Sequence, residues 1–240
     1  MVLRRSVWIL AGIHERPSWR TWIPTLCSRW RSVWSSPGTV EDQRLDLQIA
    51  YRDSAHFPCP CCAESNCPVH DCTEKRWRHL DFFQHQAFLT ARVPRVRCPN
   101  CGVKQVAVPW ARPGSGFTLL MEALILEMAK HMPIRAVARI LRVRDTRLWR
   151  VVTHYVTEAV ARIDLKDLRQ VAIDETSARK RHDYISMFFD LNSRRLVFAC
   201  KGRSSSVLGE FADFMCSHAG DPKRVRQDHL IAHAHRQALP

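Results

Sequence analysis

Four of the chain's ten cysteines fall as two close pairs, Cys59-Pro60-Cys61-Cys62 and Cys98-Pro99-Asn100-Cys101. A C-x2-C turn lets two thiolates converge on one ion, and two such turns supply the soft ligands of a closed tetrahedral zinc site. Gly102 follows the second pair, where a positive φ is often needed, and Ala63 holds that place after the first. Cys61, Cys67, Cys72, His70 and His79 stand nearby as competing ligands. A lone residue of this kind is more often a plain buried or exposed side chain, so the expected zinc ligands are Cys59, Cys62, Cys98 and Cys101. A closed four-thiolate site contributes to folding, not to chemistry.

A second set of residues could meet nucleic acid. Arg147, Arg150 and His154 fall at i, i+3 and i+7 of one helical pattern, opposite Leu148, Val151, Val152 and Tyr155. The pattern before it buries Ile134, Val137, Ala138 and Leu141, with Val143 in the short turn between. Two helices so joined are the layout of a helix-turn-helix, whose second helix enters the major groove. There arginine can pair bidentately with guanine. Arg135, Arg139, Arg142 and Arg144 are placed for phosphates. The competing reading is a solvated basic helix on an all-α domain.

A third feature is one acid, Asp174, closing the apolar run Val171-Ala172-Ile173. Two more strand-like runs and a helix follow, which is the opening of a ribonuclease H-like fold. Nucleases of that fold gather carboxylates around two divalent ions, one activating the attacking oxygen and one stabilising the leaving oxygen. A single acid at a strand end is usually a turn residue, so this signal is weak in isolation.

The bulk properties favour a polyanionic partner. Of 240 residues, 37 are Lys or Arg against 23 Asp or Glu, a formal net charge of +14. Such a surplus drives salt-sensitive association with nucleic acid. Val7 to Ile13 is apolar behind Arg4-Arg5 but too short, and without a cleavage site, for a signal peptide. No run approaches the roughly 18 apolar residues of a membrane span. The thiols are therefore expected to be reduced and cytoplasmic, several of them metal ligands.

These features call for an α+β multidomain chain: a zinc-ribbon-like β module, a helical helix-turn-helix module and a partial ribonuclease H-like α/β domain. Residues 1–40 form a divergent segment crowded with Trp8, Trp19, Trp22, Trp30 and Trp34, without a clean period up to about residue 38, and read as one short helix or a poorly ordered stretch. Residues 41–112 carry the zinc module, with a half-buried strand at Leu45 to Tyr51, two short strands between the cysteine pairs and another at Val103 to Val108. Pro109, Pro113, Gly114 and Gly116 mark a boundary. Residues 117–165 hold helices at Thr118 to Met132, Pro133 or Ile134 to Leu141, and Val160 back to a cap at Asp145. Residues 168–222 hold strands at Val171 to Asp174, Asp183 to Asp190 and Arg194 to Cys200, with a turn at Asn192-Ser193, and a helix at Ser204 to Met215. Residues 223–240 read as a polar, His-rich tail without an element.

At this point the chain resembles the ISL3 family of bacterial insertion-sequence transposases, from about residue 40 to about residue 222. The marks are the two knuckles, Arg76-Trp77-Arg78-His79-Leu80-Asp81, Val93-Pro94-Arg95-Val96-Arg97-Cys98-Pro99, Val108-Pro109-Trp110-Ala111-Arg112 and Ile173-Asp174-Glu175-Thr176. The resemblance implies binding of terminal inverted repeats in double-stranded DNA by the zinc and helix-turn-helix parts. It also implies a DDE domain in which Asp174 is the first ligand of Mg2+. Homo-oligomers or a full-length transposase are the protein partners it suggests. The chain departs from the pattern after Glu175. A DDE enzyme needs a second Asp on a later strand and a Glu on a later helix. The best candidate for the second, Asp228, has no apolar strand before it, and nothing fits the third. His229, His233 and His235 fit a tail better than a metal site. The expectation is a C-terminally truncated transposase that binds DNA and is catalytically incomplete. A non-catalytic sequence-specific DNA-binding protein, or a decayed transposase product, is the alternative.

Overall fold

A computed structural model describes residues 30–34, 44–52, 55–179 and 183–229. The remainder of the divergent N-terminal stretch, and the tail beyond residue 229 with His233 and His235, lie outside the described residues. The chain divides after Ala129 into two compact units.

The first unit is built on one five-stranded sheet. Strands β1 (Trp30–Trp34), β2 (Arg44–Tyr51), β4 (Gln86–Cys98) and β3 (Val69–Arg78) lie side by side in that order, and β5 (Gly102–Gln105) also pairs with β4. Trp30–Trp34 is thus a strand, antiparallel to β2, in a stretch expected to be helical or without order. The sequence obscured it because the run Trp30-Arg31-Ser32-Val33-Trp34 is only 5 residues long and has no clean apolar alternation. The strands between the knuckles are longer than expected, 10 and 13 residues, because charged side chains alternate with the buried Trp77, Ala91, Val93 and Val96. The strand expected at Val103 to Val108 stops at Gln105, where Val106 N–H turns back to Pro94 O.

The core of this sheet is aromatic. Trp30 packs edge-on against Trp110 with ring centroids 4.9 Å apart, and Trp77 meets Trp110 at 5.6 Å. Helix α1 (Leu119–His131) follows, opened by Thr118, whose hydroxyl oxygen accepts from Met121 N–H at 3.3 Å. Glu122 is fully buried, yet satisfied: Ser115 Oγ donates to it at 2.6 Å and Arg112 Nε at 3.0 Å. Its burial serves to pin the Arg112–Ser115 loop to α1 rather than to cap the helix.

The second unit begins with α2 (Ile134–Leu141) and α3 (Asp145–Ala161). Arg144 is the N-cap of α3. Asp145 is already helical, and its carboxylate accepts the Thr146 amide at 2.7 Å, so it is not the cap that its residue type suggested.

A four-stranded sheet follows, in the order β8 (Arg195–Lys201), β7 (Asp183–Asp190), β6 (Gln170–Arg179), β9 (Arg226–His229). The first three are antiparallel, whereas β9 runs parallel to β6. Asp190 shapes the β7–β8 turn by accepting the amides of Asn192 and Ser193. Helix α4 (Ser206–Ser217) covers one face, packing Val207, Phe211 and Met215 against Val171, Ile173 and Phe188.

One expectation for this sheet fails. The residues after 222 do form an element, because Arg226 N–H bonds to Arg169 O and starts a ladder along β6. The edge of β6 is therefore paired rather than open. On the opposite sheet face Ala172 and Met187 are also buried, 0% and 1% exposed.

Candidate functional site

The two knuckles meet because β4 carries Cys98 to the end of the sheet and β5 returns from it, pairing Cys98 with Gly102. The other knuckle is closed by Cys59 N–H to Glu64 O at 2.8 Å and Ala63 N–H to Cys59 O at 2.9 Å. Both turns need a left-handed residue just after the second cysteine: Gly102 has φ 72° and Ala63 has φ 59°. Ala63 therefore adopts the conformation that glycine adopts in the second knuckle, at the steric cost of its Cβ.

The four sulfurs of Cys59, Cys62, Cys98 and Cys101 all lie within 4.8 Å of one another. Tetrahedral zinc–sulfur bonds would set those separations at about 3.8 Å, so a small contraction completes the site. Amide donation from Cys62, then Cys61, lowers the Cys59 thiol to about 6. Its neighbour Cys101 is pushed up to about 12, first by its hydrogen bond with Cys62 and then by burial. One thiolate thus forms readily beside thiols, Cys62 and Cys101, that hold their protons, and a soft divalent cation would take all four sulfurs as thiolates.

The competing ligands are engaged elsewhere. Cys67 is buried and donates to Glu64 O at 3.4 Å, and burial raises its thiol. Cys72 contacts Tyr51 Oη at 3.4 Å, and His70 Nδ1 lies 3.1 Å from Arg97. His79 Nδ1 sits 2.9 Å from Thr118 Oγ1, and Cys61 is exposed at the surface.

In the second unit, Val137, Leu141, Leu148, Val151 and Val152 are buried, while Ile134, Ala138 and Tyr155 are half-buried. The turn between α2 and α3 is made by Arg142 in the left-handed region, φ 54°, with Val143 N–H bonded to Ala138 O at 3.0 Å. Arg139, Arg142, Arg144, Arg147 and Arg150 are all exposed. His154 is half-buried, with Nε2 3.4 Å from Glu158 Oε1 and its ring against Tyr155. A neighbouring carboxylate thus already holds this imidazole. Sequence reasoning passed over Trp149, which is 50% exposed among these arginines. A large apolar residue on the polar face of the second helix was the available signal.

Asp174 lies within β6 rather than at its end, half-buried and paired with Met187 on β7. The parallel ladder with β9 sets Ala172 opposite Asp228. Two residues along one strand therefore separate Asp174 from the position facing Asp228.

A four-cysteine cluster, two helices joined by a tight turn and a four-stranded sheet thus follow one another along the chain. Three family models match in succession: the zinc-finger of transposase IS204/IS1001/IS1096/IS1165 over residues 56–101, the helix-turn-helix domain of transposase family ISL3 over 106–156, and the ISL3 DDE transposase model over 171–227. The chain belongs to the ISL3 transposase family. The transposase for insertion sequence element IS1557 of Mycobacterium tuberculosis, in strains CDC 1551 / Oshkosh and H37Rv, is 35% identical over 161 residues. That match covers 67% of this chain and 35% of each relative, so the chain spans about a third of the length of the curated relatives it matches. No solved structure matches it. Among the described residues no helix is long and apolar enough to cross a membrane.

Proposed function

We propose that the chain binds the terminal inverted repeats of an insertion sequence as duplex DNA, with α3 in the major groove. The observation that carries this reading is the run of exposed arginines from Arg139 through Arg150 around a turn whose apolar side is buried. Arg147 and Arg150 are the base-reading candidates. Arg139, Arg142 and Arg144 suit phosphates, and His154 contributes only if it leaves Glu158. Zinc held by Cys59, Cys62, Cys98 and Cys101 fixes the ends of β4 and β5 and so holds the first unit in register.

For the catalytic part, the strand order β8-β7-β6-β9, with the last pair parallel, supports a ribonuclease H-like start. Asp174 is its first carboxylate. The register of β9 supports Asp228 as the second, because adjacent parallel strands bring the two positions close together. Mg2+ would supply activation of the attacking oxygen and charge stabilisation at the leaving oxygen. Hard, reluctantly dehydrated Mg2+ needs several preplaced oxygens, so this chain by itself is proposed to be catalytically incomplete, the third acid coming from further sequence or from a partner transposase. The alternative of a non-catalytic DNA-binding protein makes the same binding prediction and differs only in lacking such a partner.

The experiment is a binding titration of the zinc-loaded chain against element-end and scrambled duplexes, with metal content measured in parallel. The reading expects tighter binding to element ends and one zinc per chain. It also expects Cys98→Ser to release zinc and unfold residues 55–105. Equal affinity for all duplexes, or no zinc in protein purified without chelator, would remove the corresponding half of the reading.

A further inference from the structure

Strands β3 and β4 are joined by a tight turn that places two phenylalanines in solvent. Phe82 is 56% exposed and Phe83 is 82% exposed. Phe82 and His85 exchange both backbone hydrogen bonds at 3.0 Å, leaving Phe83 and Gln84 as a two-residue loop. Phe83 has φ 53°. The first loop position of such a turn is where glycine is favoured, and a bulky aromatic there is strained. The two rings meet edge-on, centroids 4.8 Å apart, so they form one apolar tip.

The base of this hairpin is rigid. Arg78 is 2% exposed, and its guanidinium donates to the carbonyl oxygens of His79 and Ala87 and pairs with Asp81. The guanidiniums of Arg76, Arg44 and Arg78 lie 4.1, 4.7 and 5.4 Å from the centre of the Phe88 ring. Asp46 pairs with Arg44 and Arg76, so three cations stand against two carboxylates, Asp46 and Asp81, beneath the tip. The hairpin thus presents a strained, exposed apolar point on a fixed, cationic support. Neither the strain nor the exposure helps the fold, since glycine at residue 83 would relieve both.

We propose that Phe82 and Phe83 form a wedge that enters a base step of the duplex bound by this chain, partly unstacking and bending it. Apolar side chains between base steps act in this way, and the strain is offset by the contacts a bent duplex makes. The occupant follows from charge. A chain carrying +14, with cations beneath the tip, attracts a polyanion and repels a second copy of itself. The proposal rests on the DNA-binding reading above and adds to it a site on a different element.

The test uses the full zinc-loaded chain and duplexes of about 30 base pairs, with 2-aminopurine at TA or CA steps, which kink most easily. Anisotropy reports binding, 2-aminopurine fluorescence reports unstacking, and end-to-end energy transfer reports bending. Wild type is expected to raise the fluorescence at one step and shorten the end-to-end distance. Phe83→Gly, whose residue suits the local φ, should keep zinc and thermal stability while losing both signals and about tenfold in affinity, the scale of one lost base–aromatic contact. Phe82→Ala should do the same to a lesser degree. Binding by wild type without unstacking, or a Phe83→Gly variant with unchanged signals, overturns the wedge and leaves the DNA-binding reading standing. Absence of binding by wild type removes both. A Phe83→Gly variant that instead lowers concentration-dependent self-association assigns the tip to a second copy and also overturns the proposal.

Discussion

At the scale of single residues, His79 shows how burial sets a charge state. Desolvation, and then the neighbouring Arg78 charge, hold its imidazole below the usual value of 6.5. A neutral Nδ1 can accept from the Thr118 hydroxyl, whose oxygen in turn accepts from Met121 N–H at the start of α1. Because the folded value lies below the unfolded one, the unfolded chain binds the proton more readily. The stabilisation is complete above the unfolded value of 6.5 and is lost as pH falls through the folded value. The melting temperature should therefore fall more steeply between about pH 7 and 5 in wild type than in His79→Gln. Thiolate protonation loosens zinc in both proteins, so only the difference between the two slopes tests His79. Parallel slopes would mean that His79 does not carry the effect.

At the scale of elements, the decisive one is α3. Its buried side, Leu148, Val151 and Val152, fixes which residues face outward, and Arg147 and Arg150 are among them. If they read bases, Arg147→Ala and Arg150→Ala should each weaken binding to the preferred duplex by about 1–3 kcal/mol and relax specificity. If they touch only phosphate, affinity should fall uniformly across sequences and the salt dependence should become shallower. A titration at two or more salt concentrations, on preferred and scrambled duplexes, separates these results. Unchanged affinity in both variants would exclude α3 from the groove. Strand β9 illustrates the opposite situation, an element made by its partner. Its residues Arg226–His229 carry no apolar alternation, and the strand exists because β6 offers a free row of backbone groups to pair with.

For the whole molecule, the question is whether DNA bound as proposed could be cut. The proposed metal site draws Asp174 and Asp228 from adjacent parallel strands of this chain, fewer carboxylates than a two-metal site requires. The chain alone is expected to give no metal-dependent cleavage or strand transfer on element-end duplexes with Mg2+ or Mn2+. Adding a full-length relative should restore the reaction only if that partner brings its own complete site. Cleavage by the chain alone that disappears in Asp174→Ala would show that the missing oxygens come from within it or from a second copy, and would sink the claim of incompleteness.

The knuckle cysteines, the apolar spacing of α2 and α3 and the acid of β6 were legible in the sequence because each rests on local chemistry: ligand spacing, helical period, strand composition. So were β7, β8 and α4, to within a residue or two at their ends. What the sequence left open was settled by non-local contacts. Trp30–Trp34 becomes a strand only against β2, and Arg226–His229 only against β6. Glu122 is buried because Arg112 and Ser115, several residues earlier in the chain, close over it. Asp145 reads as a cap until the helix begins on it, whereas Ala63, flagged by its place after the first knuckle, does take the positive φ that the place asks for. Local spacing determined which side chains could do chemistry. The tertiary structure decided which of them meet, because hydrogen-bond ladders and buried polar networks are satisfied by partners far along the chain, and no local pattern names those partners.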